Sequence, residues 1–249
     1  MPVIFVPWAQ HLLSKAVPQE GENILDVACG TGIVARMAKS RVGPSGNVAG
    51  VDLNSGMLNV AKSIVGSSRI NCIEADVGNI PLESKSFDKA YCQQGLQFFP
   101  NKVGALKEIH RLLRSGGKCL VVAAQSLEQH PLMNSQVAAL TKHIDANAAA
   151  GIRAVCSLPN GNEIAEYFKE AGFDKVSWET VDLTLLHKDG RAFIQNGIMS
   201  TPLAGIIATW SDTDRNALLD DILEGLSTCF DGKALTFPHI SSVVMGTKA

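Results

Sequence analysis

No segment of this chain reaches the ~18 consecutive apolar residues of a membrane-spanning helix, so no membrane span is expected. The opening MPVIFVPWAQHLL has no basic flank and no small-residue cleavage site, and it does not read as a signal peptide. Charge of one sign is not in surplus: 22 Lys and Arg face 24 Asp and Glu, a net charge of −2. A domain that tracks phosphates carries a basic excess, so nucleic acid is not an expected partner. The six cysteines make no C-x-x-C pair and no His/Cys metal spacing, and no metal is expected. Most sit in apolar runs such as LDVACG and GGKCLVV, as small buried hydrophobes. Unpaired thiols point to a reducing, cytoplasmic compartment. Internal repeats and low-complexity tracts are absent.

What is present is a core-forming composition, 46% hydrophobic over 249 residues, a length that permits one large domain or two small ones, and a single domain over 1–249 is expected. Residues 3–17 carry apolar positions at helical spacing, with Pro7 suited to a first turn and Pro18 as a stop. Strand and helix patterns then alternate. Strands are expected at 24–28, 47–52, 70–75, 88–92 and 118–124, and helices near 33–39, 57–64 and 102–113, the last broken by RSGG. Such alternation predicts a parallel, doubly wound α/β sheet with helices on both faces. After Gln125 the pattern loosens. A helix is expected at 163–171, a strand at 175–186, further helices over 189–230 with the cap-like SDTD before one at 216–226, and a last strand at 234–247. The final two strands suggest a closing antiparallel pair. Three helical regions, about 1–17, 127–158 and 189–230, are expected to cap a small-molecule substrate, and their apolar residues suggest a hydrophobic or aromatic one.

The segment Ile24–Gly32, ILDVACGTG, joins a buried strand to a glycine turn and a helix. In a doubly wound sheet a ligand binds there, at the carboxyl end of the strand. Gly30 and Gly32 admit close backbone approach, and the following helix aims free N–H groups at the same space. Asp26 within an apolar strand either ties the turn amides together or faces a cationic group of the ligand. Asp52 ends the second strand, where a carboxylate can take two ribose hydroxyls. Asp76 ends the third and can accept from an exocyclic amine, with Leu53 and Val77 flanking a base. Each acid alone fits a helix cap, whereas three on one sheet edge form a pattern. Gly30-x-Gly32-x-x-Ala35 with Asp52 also fits a dinucleotide fingerprint. Asp26 and Asp76 favour adenosine with an amino-acid tail.

With the segments GVDLNSGML, EADVGNIPLESKSFD, YCQQGLQFFP and ALKEIHRLLRSGGK, the chain resembles the class I S-adenosylmethionine-dependent methyltransferases, specifically the ubiquinone/menaquinone-biosynthesis-like (methyltransferase type 11) group, over about residues 20–125. The resemblance implies a Rossmann-like seven-stranded sheet, mostly parallel, whose last two strands form an antiparallel hairpin. It implies a transferase that uses S-adenosyl-L-methionine for small-molecule methylation. Asp26, Ala28, Gly30, Thr31 and Gly32 would hold the methionine end. Asp52, Leu53 and Met57 would hold ribose and adenine, and Asp76 and Val77 would meet the adenine edge. Gln93, with Gln94 beside it, would line the cofactor and substrate side of strand four. Ala28 replaces the first glycine of the usual turn.

Methyl transfer from a sulfonium needs positioning and dryness, and needs a base only for a protonated acceptor. His130, in SLEQHPL after the fifth strand, is the candidate base, ahead of His143, His187 and His239. Gln94 and Gln97 are candidates to hydrogen-bond the acceptor, while His110, beside Arg111 in LKEIHRLL, reads as a surface or helix-packing residue. Three alternatives remain at this level: a cofactor-retaining enzyme of a non-methylating reaction such as a cyclisation, an NAD-dependent oxidoreductase, and an inactive binding module. Nothing in the sequence forces a dimer.

Overall fold

The computed structural model describes residues 2–65 and 70–249. In chain order the elements are α1 (Pro2–Lys15), β1 (Asn23–Val27), α2 (Ile33–Val42), β2 (Asn47–Asp52), α3 (Ser55–Val65), β3 (Ile70–Glu74), β4 (Phe87–Gln93), α4 (Lys102–Leu112) and β5 (Leu113–Ala124). There follow α5 (Pro131–His143), α6 (Ala150–Val155), α7 (Gly161–Glu170), β6 (Asp174–His187), α8 (Gly190–Met199), α9 (Ala204–Ile207), α10 (Asp212–Glu224) and β7 (Leu235–Thr247). Among the described residues, no helix is long and apolar enough to cross a membrane.

The seven strands form one sheet in the order β3-β2-β1-β4-β5-β7-β6. The β1–β2, β2–β3, β1–β4 and β4–β5 pairs are parallel, and β7 runs antiparallel to β5. The chain builds outward from β1 through β2 to β3, then returns to place β4 on the other side of β1. That reversal opens a crevice beyond the carboxyl ends of β1 and β4.

Two compact units make up the chain. The larger holds residues 5–124, 158–181 and 241–249, and the smaller holds the chain up to Ile4 with 125–157 and 182–240. In the larger unit Leu25, Val27, Val51, Ala90, Cys92 and Val121 are buried with Leu106 and Ile109 of α4 and Ile164 and Phe168 of α7. Central parallel strands are covered on both faces, hence their near-continuous apolar runs. Each fully buried Leu or Ile contributes ~1.5–3 kcal/mol. Trp8, Leu12 and Leu13 of α1 are likewise fully buried, and the Tyr91 hydroxyl donates to the Ala16 carbonyl just past that helix. In the smaller unit Ser135 of α5 donates to the Ile222 carbonyl of α10 (2.6 Å), and Phe193 stacks on Phe237.

Several expectations shift by local chemistry. α1 begins at Pro2, so Pro7 lies inside it rather than in its first turn. The RSGG segment does not follow a helix as a loop: α4 ends at Leu112, and Arg114–Gly117 belong to β5, where Gly116 takes φ +80° and the register against β4 slips. SDTD supplies the cap as Ser211 alone, accepting from the Asp214 N–H, and α10 begins at Asp212. The last two strands are sheet neighbours, yet α8, α9 and α10 lie between them in sequence in place of a hairpin turn.

Candidate functional site

The site begins where β1 stops. Ala28, Gly30 and Gly32 all take left-handed φ values, +54°, +53° and +78°. The turn is closed by Gly32 N–H on the Cys29 carbonyl (2.8 Å) and tied to β2 by Cys29 N–H on the Val51 carbonyl (3.0 Å). Glycine takes such angles without strain, whereas Ala28 does so at a cost of ~1–2 kcal/mol. Gly95, just past β4, makes room for it: a Cβ there would stand 2.6 Å from the Ala28 Cβ and 2.8 Å from Cys92 Sγ. Gly95 lies within a segment quoted above but was given no role. Its signal was a glycine two residues past a strand end.

α2 starts at this turn without a side-chain cap of its own, because Gly32 precedes it. Asp26 supplies what is missing. Its Oδ2 accepts from Ala35 N–H in the first turn of α2 (2.8 Å), and its side chain is buried. Burial raises its pKa to about 7, the neighbouring Asp52 adding to the rise while the Ala35 N–H and Arg36 oppose it. The carboxylate thus ties strand to helix.

Asp52 Oδ2 accepts from Gly30 N–H (2.8 Å) and Oδ1 from Asn54 N–H (2.8 Å), leaving each oxygen a further lone pair. Leu53 and Met57 beside it are 71% and 47% exposed, and a Cβ on Gly30 would stand 3.6 Å from Met57 Sδ. Asp76 follows β3, whose Glu74 pairs with Asp52. It caps a turn by accepting from Gly78 N–H (2.7 Å). Val77 is half-buried, and Thr31 is exposed at the tip of the glycine turn.

The register of β4 on β1 sets Tyr91 against Asp26, which brings Gln93 level with Ala28. Gln94 takes φ +55°. Its Oε1 faces the Ala124 N–H (3.0 Å), which fixes the orientation of its amide, because a backbone N–H only donates. The Gln97 group that meets the same oxygen (3.1 Å) is therefore its NH2. Gln94 Nε2 completes the chain on Ser241 Oγ (3.2 Å). Gln93 donates to the Phe5 carbonyl (3.0 Å). Backbone partners thus fix the amides of Gln93 and Gln94, Gln94 fixes that of Gln97, and the Oε1 atoms of Gln93 and Gln97 are left buried without a donor. Each such oxygen costs ~1–3 kcal/mol.

His130 belongs to the smaller unit and is buried. Its Nδ1 meets the Ser126 carbonyl (3.0 Å) and its Nε2 accepts from Ile240 N–H (3.2 Å). Both ring nitrogens are engaged by backbone, and burial lowers its pKa. Among the described residues, no group of three or more His, Cys, Asp or Glu could hold a metal ion. A depression of about 560 Å³ lies at the opposite edge of the sheet, lined by Asn23, Asn47 and Ile70 at strand starts. It is remote from the carboxyl ends where such sheets bind ligands.

Residues 25–121 match the family described as a methyltransferase domain. Over 123 residues the chain is 36% identical to a demethylmenaquinone methyltransferase of Staphylococcus epidermidis, a match covering 48% of this chain and 51% of that protein. The chain thus spans about half the length of that curated relative. A demethylmenaquinone methyltransferase of Oceanobacillus iheyensis is 28% identical over 190 residues, 70% of this chain and 78% of that one. The crystal structure of a putative methyltransferase from Bacillus halodurans has a TM-score of 0.60 at 20% identity, covering 96% of this chain and 98% of that one. At that identity the likeness is one of fold.

Proposed function

We propose that this chain, whose residues 25–121 belong to the methyltransferase domain family, transfers a methyl group from S-adenosylmethionine to a small apolar aromatic acceptor of quinol type. One observation carries the reading: the left-handed Ala28–Gly32 turn, whose Gly30 N–H is held by Asp52, at the switch point of the sheet. The residues present fit the cofactor. Gly30 and Gly32 hold left-handed angles that favour glycine, and a Cβ on Gly30 would stand 3.6 Å from Met57 Sδ. Gln93 Oε1 is a buried acceptor without a donor, as an ammonium group requires. Leu53 and Met57 expose apolar surface beside Asp52, where a base would cover it.

When bound, the cofactor supplies an electrophilic methyl on a sulfonium. The chain's own residues do the rest. Asp26, Ala28, Thr31, Gly32 and Gln93 hold the amino-acid end. Asp52 takes the ribose hydroxyls on its remaining lone pairs, and Leu53, Met57, Asp76 and Val77 hold the base. Gln94, fully engaged by its neighbours, positions Gln97 for the acceptor. His130 has a structural role, since neither ring nitrogen is free to take a proton. The names of the two relatives support a quinone-like ring system as acceptor.

The test is calorimetric titration with S-adenosylmethionine and S-adenosylhomocysteine, then incubation with hydroquinones and phenols while S-adenosylhomocysteine release is followed. Micromolar binding of both and release of product are expected. Asp52→Ala is expected to weaken binding by ~1–3 kcal/mol. Binding without S-adenosylhomocysteine release in the presence of a converted substrate would point to a non-methylating reaction, and folded protein that binds neither compound would remove the cofactor assignment.

A further inference from the structure

The Asp76 turn has no helix or strand directly behind it. Residues 75–86 run as turn and loop between β3 and β4, and α4 holds them in place. Arg111 of α4 uses its whole guanidinium for this. Nε and Nη2 fork onto Glu108 (2.8 and 2.7 Å). Nη1 donates to the Leu82 carbonyl (3.0 Å) and to Ser84 Oγ (2.8 Å), and Nη2 also to the Ile80 carbonyl (3.1 Å). An arginine has five N–H donors, and these contacts use each one. Glu108 Oε1 also accepts from Ile80 N–H (2.8 Å). The backbone continues the seam, with Lys85 N–H on the Arg111 carbonyl (3.0 Å) and Ser86 N–H on the Leu112 carbonyl (2.9 Å). Ile80, gripped at both its N–H and its carbonyl, is itself buried. The pinned residue stands just beyond the turn closed by Asn79 N–H on the Asp76 carbonyl (3.0 Å).

We infer that Glu108 and Arg111 are positioning residues for cofactor binding: their fork fixes Ile80 and so sets where Asp76 and Val77 stand. The inference rests on the function proposed above. The pair is partly buried, the Arg111 and Glu108 side chains being 38% and 11% exposed. Three guanidinium bonds to one loop, with the other two fixing Glu108 on Ile80 N–H, specify a conformation, and a lysine cannot reproduce that planar fork.

The test uses the ligand-free full chain and two variants, Glu108→Gln and Arg111→Lys. Asp88→Asn serves as a control, since it loosens the Asp88 contacts with Arg114 and with Asn23 N–H at the other edge of the sheet. Calorimetry measures S-adenosylhomocysteine and 5′-methylthioadenosine, which carries the adenosine end alone, and amide hydrogen exchange is read at Gly78 and Asn79. Both clamp variants should bind both compounds about tenfold more weakly, ~1.4 kcal/mol, with faster exchange at the two amides. The control should lower the melting temperature and leave affinity unchanged. Clamp variants that melt earlier but bind as tightly as the wild type would reduce the fork to a stabilising contact and overturn the inference. Absence of binding by the wild type would remove the cofactor assignment and this inference with it.

Discussion

At the residue scale, Asp26 shows two demands met by one side chain. Within ILDVA its charge was legible as an anomaly, and the sequence left open whether it served the turn or the ligand. The structure gives it the Ala35 N–H to cap, a bond invisible to a pattern search because the missing local cap at Gly32 becomes apparent only once α2 is placed. Its raised pKa has a consequence for stability. The folded value is about 7 against an ordinary 3.8, so the folded state retains a proton that the unfolded chain gives up. That contribution is fully present below about 3.8, fades as pH rises towards 7, and is gone above it. The gap is worth ~4 kcal/mol at most. Denaturant unfolding from pH 4 to 8 should show this decline in the wild type, and Asp26→Asn, which keeps an acceptor for Ala35, should flatten it. A variant with the same slope would assign the effect to other groups. A cationic ligand beside Asp26 would favour the ionised form, so S-adenosylmethionine binding near pH 6 should release protons in the wild type and fewer in the variant.

At the element scale, the alternation of apolar strands with amphipathic helices made β1 to β5 legible, and β2 falls on the residues its pattern names, 47–52. The α4–β5 boundary was not legible, because RSGG carries the composition of a helix stop while its backbone already pairs as strand. Gly95 escaped for a related reason. Its own φ of −114° suits any residue, and what demands glycine is the left-handed Ala28 across from it, a contact between the ends of β4 and β1 that sequence spacing does not encode. Gly95→Ala should therefore cost ~1–3 kcal/mol by overpacking and weaken binding of S-adenosylhomocysteine. Adding Ala28→Gly removes one of the two colliding atoms and the strained φ together. The double variant should then recover part of the lost stability in chemical unfolding, a coupling that a thermodynamic cycle isolates. Strictly additive losses would show that the two positions do not press on each other.

At the scale of the whole molecule, both units are discontinuous in sequence, and β6 and β7 each contribute residues to both. That division could not be read from the sequence: its length permits one large domain or two small ones, and the expectation of one domain over 1–249 came with the resemblance. The ligand-binding residues proposed here, from Asp26 to Gln97, all belong to the larger unit. A compound that binds only the native form stabilises by ~2.7 kcal/mol at a hundredfold excess over its Kd, which for a chain of this size is a rise in Tm of roughly 5–10 °C. Tryptophan placement makes the shift assignable. Trp8 and Trp178 lie in the larger unit and Trp210 in the smaller. In Trp210→Phe, fluorescence reports the larger unit alone, while far-ultraviolet circular dichroism reports the whole chain. With S-adenosylhomocysteine present, the fluorescence midpoint should rise by the full amount. If the two probes separate and only the dichroism midpoint moves, the binding energy is being spent in the smaller unit, and the assignment of the cofactor to the Ala28–Gly32 turn falls.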